Sequence, residues 1–132
     1  MSVFYDWTGQ AVRGETIQAE DLDQGRDYTY VADIAGGIRT VLDAPVLPHD
    51  LYNITAGIWL TSREILAQLQ QLAPSTQVNE VAAAAQSPEV AASRGPLSGH
   101  RLFHDLRWTP NYDLKAALAE YLQWRRDAAF LD

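Results

Sequence analysis

Cysteine is absent from this 132-residue chain. Disulfides, thiolate nucleophiles and cysteine-based zinc or iron–sulfur sites are therefore excluded. Lysine is nearly absent too, with Lys115 the one example, and the balance of 17 acids against 10 bases leaves a net charge of −7. A nucleic-acid binder needs a basic stripe to neutralise phosphates. The nearest feature is Arg125-Arg126, which reads as the last turn of a helix, where cations suit the dipole. No apolar run reaches the ~18 residues of a membrane span. The start, MSVFYDW, is acidic and aromatic rather than basic and apolar, so it does not read as a signal peptide. These absences set the expectation of a soluble, cytoplasmic protein with no nucleic-acid or membrane partner.

What is present points to a folded globule. The apolar share is 47%, and four Trp, six Tyr and three Phe are large enough to build a core. The length fits a single domain over 1–132 that needs no staples.

Local patterns alternate between strand-like and helix-like. Residues 3–13 read as a short helix, 16–19 as a strand and 20–24 as an acidic turn. GRDYTYV (25–31) is rich in strand formers. Ile34, Ile38, Val41 and Leu42 then fall on one helical face. Asp33 stands near that helix's start as a candidate cap, and Gly36-Gly37 inside it implies close packing against another backbone. Leu51-Tyr52-Asn53-Ile54 reads as a strand. Thr61 and Glu64 form a T-x-x-E capping box opening a helix with Ile65, Leu66, Leu69 and Leu72 on one stripe. Residues 76–81 read as a strand, and 82–95 as a flexible Ala-rich loop broken by Pro88. Helices follow over about 98–106 and from Asp113 onward. The fold class predicted is α/β, with α+β character: helices packed on a small sheet.

Three segments in order resemble the extended short-chain dehydrogenase family of NAD-dependent epimerases and dehydratases. GRDYTYVADIAGGI (25–38) is similar to the family's Arg-Asp-aromatic stretch and following helix. LYNITAG (51–57) with TSREILAQL (61–69) resembles its Tyr-Asn strand and capped helix. RLFHDLRWTPNYDLKAALAEYLQW (101–124) resembles its closing Trp-x-Pro turn and final helix. The resemblance spans most of residues 14–126 and implies the C-terminal, substrate-side part of such an enzyme.

It implies a role for Arg26 at the diphosphate or ribose of a sugar nucleotide, with Tyr28 beside it and Arg94 as a second phosphate contact. A guanidinium fork matches phosphate oxygens in pairs. The plainer alternative is an ion pair for Arg26 and a core place for Tyr28. Asp27 and Asp33 read as structural hydrogen-bonding groups or caps. The chain departs from the family at Ser98-Gly99-His100, where relatives often carry an acid followed by Ser, and at Arg107, where they commonly carry Gly.

The family's chemistry requires a glycine-rich turn for the dinucleotide and a Tyr-x-x-x-Lys base. None of the glycines, at 9, 14, 25, 36, 37, 57, 95 and 99, makes the first motif, and Asn111 stands four residues before Lys115. The chain is thus expected to lack the Rossmann domain, to bind no cofactor alone and to have no catalytic residues. NAD would enter only with a partner chain that supplies that domain.

Three functions follow from the resemblance. One is a catalytically silent stand-alone or remnant domain that self-associates. Another is a subunit of a split enzyme completed by a cofactor-domain chain. The last is a small module that binds a nucleotide or nucleotide sugar. A lobe without its neighbour must cover apolar surface and a bare strand edge, so the expected partners are a second copy of this chain or a cofactor-domain chain. Trp59, after Gly57, is the candidate interface residue.

No metal site is expected. His100 and His104 have ligand spacing but no evident third ligand, and Glu20-Asp21-Asp23 lacks the pattern of a calcium loop.

Overall fold

The computed structural model describes residues 3–81 and 95–128. They are laid out as two compact units. The first takes the described residues of Met1–Gln24, Thr61–Ala92 and Leu114–Asp132; the second takes those of Gly25–Leu60 and Ser93–Asp113. Among the described residues, five helices and four short strands, arranged in two pairs, give the α/β class read from the sequence.

The first unit holds helix α1 (Val3–Arg13), strand β1 (Ile17–Ala19), helix α3 (Ser62–Leu72), strand β4 (Val78–Glu80) and helix α5 (Leu114–Ala128). β1 and β4 pair in parallel, Ile17 against Val78 and Ala19 against Glu80. Ile17 and Ala19 are buried while Gln18 between them is exposed, as the period of two requires. The capping box at the start of α3 is formed in full. Glu64 N–H donates to the Thr61 hydroxyl, and Thr61 N–H donates to the Glu64 carboxylate at 2.8 Å. Those bonds hold the Glu64 carboxyl below its ordinary range, the backbone N–H of Thr61 most of all.

The apolar stripe of α3, Ile65, Leu66 and Leu69, is buried, as are Leu118 and Leu122 of α5 and Trp7 of α1. α5 packs on both α1 and α3. Burying side chains of this size contributes about 1.5–3 kcal/mol each. Arg125 is also buried, its guanidinium 4.4 Å above the Tyr5 ring. Gly9 lies under that guanidinium, where a Cβ would be 2.5 Å from Nη2.

The second unit holds β2 (Gly25–Asp27), α2 (Val31–Asp43), β3 (Trp59–Thr61, whose last residue begins the first unit) and α4 (His100–Leu106). β2 pairs with β3, and Tyr28 N–H donates to the Ile58 carbonyl just beyond the pair. α2 packs on α4. Gly37 is buried against Ile54, whose Cγ2 would lie 2.5 Å from a Cβ placed there. That is the close approach the Gly-Gly pair implied, although it involves a side chain rather than a backbone. Gly36 has more room, its nearest such neighbour being Trp108 Nε1 at 3.7 Å.

Two local readings are corrected. Residues 51–58 form no strand. Tyr52-Asn53 is extended in character, but a strand exists only where a neighbouring backbone supplies a ladder. Asp33 does not cap α2, whose N-cap, Tyr30, has no side-chain capping bond. Asp33 is buried at 2% exposure and instead accepts the N–H groups of Asn111 (2.7 Å) and Tyr112 (3.2 Å). It ties the first turn of α2 to the chain after the Trp108-Thr109-Pro110 turn.

Candidate functional site

β2 and the residues after it carry the first candidates. Along an extended backbone successive side chains point to opposite faces. Arg26 and Tyr28 therefore share one face, and Gly25 and Asp27 share the other.

The Gly25 face is closed. A Cβ on Gly25 would collide with the Trp59 ring, so glycine is what lets that indole lie on the strand. Trp59 is 37% exposed, so the candidate interface residue is partly engaged inside its own unit.

Asp27 accepts hydrogen bonds on both carboxylate oxygens. The Thr55 hydroxyl donates to its carboxylate (2.7 Å to Oδ1), and Leu97 N–H donates to Oδ2 (2.8 Å). Thr55 is itself buried and accepts the N–H of Gly57 (2.8 Å), a residue in the left-handed region at φ 65°. Glycine takes that conformation without the Cβ clash. The Thr29 hydroxyl accepts Ala56 N–H at 2.9 Å, and Asn53 Nδ2 donates to the Ser98 carbonyl at 3.1 Å. Segments 25–30, 53–57 and 95–99 are thereby fastened together around Asp27. The structural role read for Asp27 is the one it has.

On the opposite face Arg26 is exposed and Tyr28 half-buried. The described arginine–carboxylate pairs use Arg13, Arg39 and Arg63 rather than Arg26. Burial raises the Tyr28 phenol above its ordinary range, and the Arg26 charge beside it pulls the other way. The arrangement offers a guanidinium on a braced strand with a ring next to it, which suits an anionic group joined to a flat or sugar-like one. Arg94, the third candidate, lies outside the described residues, as does nearly all of the 82–95 segment.

Sequence reading missed the clamp residues Thr29, Thr55 and Leu97. Leu97 acts through its backbone, which side-chain patterns do not report. Thr55 left one trace, a Thr two residues before a Gly, the spacing of a local hydroxyl-to-backbone turn.

His100 and His104 stack with ring centroids 5.7 Å apart on the exposed side of α4. Among the described residues no group of three or more His, Asp or Glu is placed to hold a metal ion. No helix among them is long and apolar enough to cross a membrane.

No protein-family model matches the chain, and no curated protein sequence does either. Solved structures match by fold. The dTDP-glucose 4,6-dehydratase of Bacillus anthracis, solved with NAD, superposes with a TM-score of 0.78 at 21% identity, covering 96% of this chain and 39% of its own. The UDP-glucose 4-epimerase of Thermus thermophilus, solved with NAD, gives 0.76 at 21% identity over 96% of this chain and 40% of its own. The UDP-glucuronic acid 4-epimerase of Bacillus cereus, solved with UDP-glucuronic acid and NAD, gives 0.78 at 17% identity with the same coverages, 96% and 40%. The fold is thus shared with NAD-dependent sugar-nucleotide epimerases and dehydratases. The chain spans about two fifths of the length of the three.

Proposed function

We propose that this chain is a substrate-side lobe of the epimerase/dehydratase type that is catalytically silent by itself and self-associates. The observation that carries the reading is the apolar face of the second unit. Ile38 is 47% exposed, Leu42 78%, Leu47 44% and Leu51 65%, and they line one cleft of about 500 Å³ together with Val41 and Ile54. Beside it runs the 51–58 segment, extended in sequence character but without a strand partner. Contiguous exposed apolar surface marks an interaction face. A second copy presenting the same face would bury it in an isologous contact.

Silence follows from the sequence. Hydride chemistry needs a nicotinamide held over the sugar, and this chain has neither the glycine-rich turn nor the Tyr-x-x-x-Lys pair.

A second reading shares the same face: the missing cover is a cofactor-domain chain, and the pair makes a split NAD-dependent enzyme. It is favoured by the greater length of the three similar chains described above, each solved with NAD. A nucleotide-sugar-binding role for Arg26 and Tyr28 is compatible with both and is supported by their shared, open face.

Light scattering on the full chain, beside thermal shift with NAD, UDP-glucose and dTDP-glucose, tests these readings. The proposal expects a dimer or larger particle that Leu42→Glu with Leu51→Glu dissociates, and no rise in melting temperature with NAD alone. A concentrated monomer, or stabilisation by NAD alone, would sink it. Activity on sugar nucleotides that appears only after mixing with a cofactor-domain chain would move the split enzyme ahead. Nucleotide-sugar binding should be saturable in the wild type and absent in Arg26→Ala.

A further inference from the structure

A polar cluster of the second unit borders the apolar cleft described above, with His49 and Tyr52 lining both. Its centre is Asp105, on the last turn of α4, whose side chain is only 8% exposed. The Tyr52 hydroxyl donates to its Oδ2 at 2.9 Å, a bond spanning 53 positions of sequence. His49 N–H donates to the same Tyr52 oxygen at 3.2 Å, and His49 Nε2 stands 3.7 Å from Asp105 Oδ2. His104 Nδ1 is 2.9 Å from Oδ1 on the other side. One sheltered carboxylate thus sits between two imidazoles, one from its own helix and one from the 49–54 segment.

We propose that Asp105, bonded to Tyr52 and flanked by His49 and His104, is a proton-operated clasp fastening α4 to the 49–54 segment, tightened when the imidazoles take up protons and slackened when they lose them.

The contact distances give the reason. At 3.7 Å the His49–Asp105 approach is too long for a hydrogen bond, so a neutral ring there contributes little. A charged ring at that distance attracts the carboxylate directly. Both imidazoles are open enough for proton exchange, with His104 67% and His49 45% exposed, while the carboxylate between them is sheltered. His104, through its hydrogen bond, does most to hold the Asp105 carboxyl below its ordinary range; the Tyr52 hydroxyl and the charge of His49 act in the same direction, and burial opposes them. That sets the sign. The contribution of Asp105 itself is lost only as pH falls through its depressed value, so near neutrality the carboxylate stays ionised in folded and open forms. Imidazole is the side chain whose charge changes in the neutral range.

Other charged groups lie around the cluster. Arg101 of α4 donates to the Leu51 carbonyl at 3.2 Å, and His100 stacks on His104 and would repel it when both rings are charged, working against the clasp. Asp50 lines the adjoining cleft. From α2, which packs on α4, Asp33 is committed to Asn111 and Tyr112, and Arg39 pairs with Asp43.

Backbone hydrogen exchange on the full chain tests the clasp, read in segments 49–54 and 100–106. Measurements at about pH 5.5 and about pH 7.5, on either side of an ordinary imidazole, are corrected for the intrinsic rates. Exposed-to-sheltered ion pairs of this kind predict opening about threefold rarer at the lower pH. Asp105→Asn should bring that ratio to about one. His49→Gln with His104→Gln, both at open positions and sparing the Asp105–Tyr52 bond, should do the same and guards against an Asp105 variant that does not fold. A wild-type ratio equal to that of the double histidine variant, or opening that grows at the lower pH, overturns the proposal. Because His49 and Tyr52 also line the cleft of the self-association reading, exchange is read at a dilution at which light scattering shows the monomer, so the two proposals fail separately.

Discussion

Each unit is held together internally, and by different means. Nearly all the buried apolar side chains among the described residues belong to the first unit, with Leu102 and Trp108 the exceptions. The second unit is instead pinned by buried or half-buried polar groups reaching backbone N–H: Asp33 to Asn111 and Tyr112, Asp27 to Leu97, Thr29 to Ala56. It leaves Ile38, Leu42, Leu47 and Leu51 in solvent. Apolar burial is non-directional and closes a unit on itself. Polar clamps fix loop geometry without closing apolar surface on itself.

The sharpest way to break this comparison is a matched pair of truncations. Leu118→Ala, in the first unit, should lower stability by about 2–5 kcal/mol through lost burial and a cavity. Leu42→Ala, in the second, should stay within about 0.5 kcal/mol under conditions that keep the chain monomeric. Urea midpoints read both. A large loss at Leu42 in the monomer would mean that its face is already covered.

The polar clamps come next. Asp33→Ala removes the acceptor of two backbone N–H groups, and should cost about 2 kcal/mol on the scale of unsatisfied buried donors. Equilibrium unfolding of that variant beside Asp33→Asn checks it, since the amide keeps one acceptor oxygen and should recover part of the loss.

Adjacent glycines of α2 should respond with opposite signs. Gly37→Ala drives a Cβ into Ile54 and should cost about 1–3 kcal/mol. Gly36→Ala meets only ordinary contact and should gain up to about 1 kcal/mol from helix propensity. Thermal melts of the two single variants decide it, and a loss in both would mean that α2 has no slack at either position.

The smallest effect belongs to the α3 cap. Thr61→Ala should cost about 1 kcal/mol. The Glu64 carboxyl is depressed, so its contribution is present above the unfolded value of ~4.3 and fades as pH falls through the folded one. Wild type should therefore lose stability on acidification at this cap, and Thr61→Ala should lose less. Urea midpoints at about pH 7 and about pH 3, either side of an ordinary Glu, report the difference.

Local chemistry was legible wherever it was complete within a few residues. The Thr61–Glu64 box and the α3 stripe read directly from spacing. Legibility failed where a partner lay far along the chain. Asp33 looked like a cap because it stands near a helix start, but its partners are 78 and 79 positions away. Leu51 to Ile54 looked like a strand because alternation cannot show whether a neighbour exists. His104 looked like a surface histidine, and it is exposed, but its bond to Asp105 and the Tyr52 bond beyond it join segments that nothing in the sequence sets side by side.

By itself, the sequence determined the helices, the α/β class and the absence of a dinucleotide turn. Those depend on backbone periodicity and on residues present or missing. Only the tertiary structure decided which carboxylates are spent on clamps, that the α2 stripe faces an open cleft rather than a core, and that Asp105 sits between two imidazoles. Each of those depends on which distant segments meet, and a local pattern records what a residue is able to bond, not what folding brings to it.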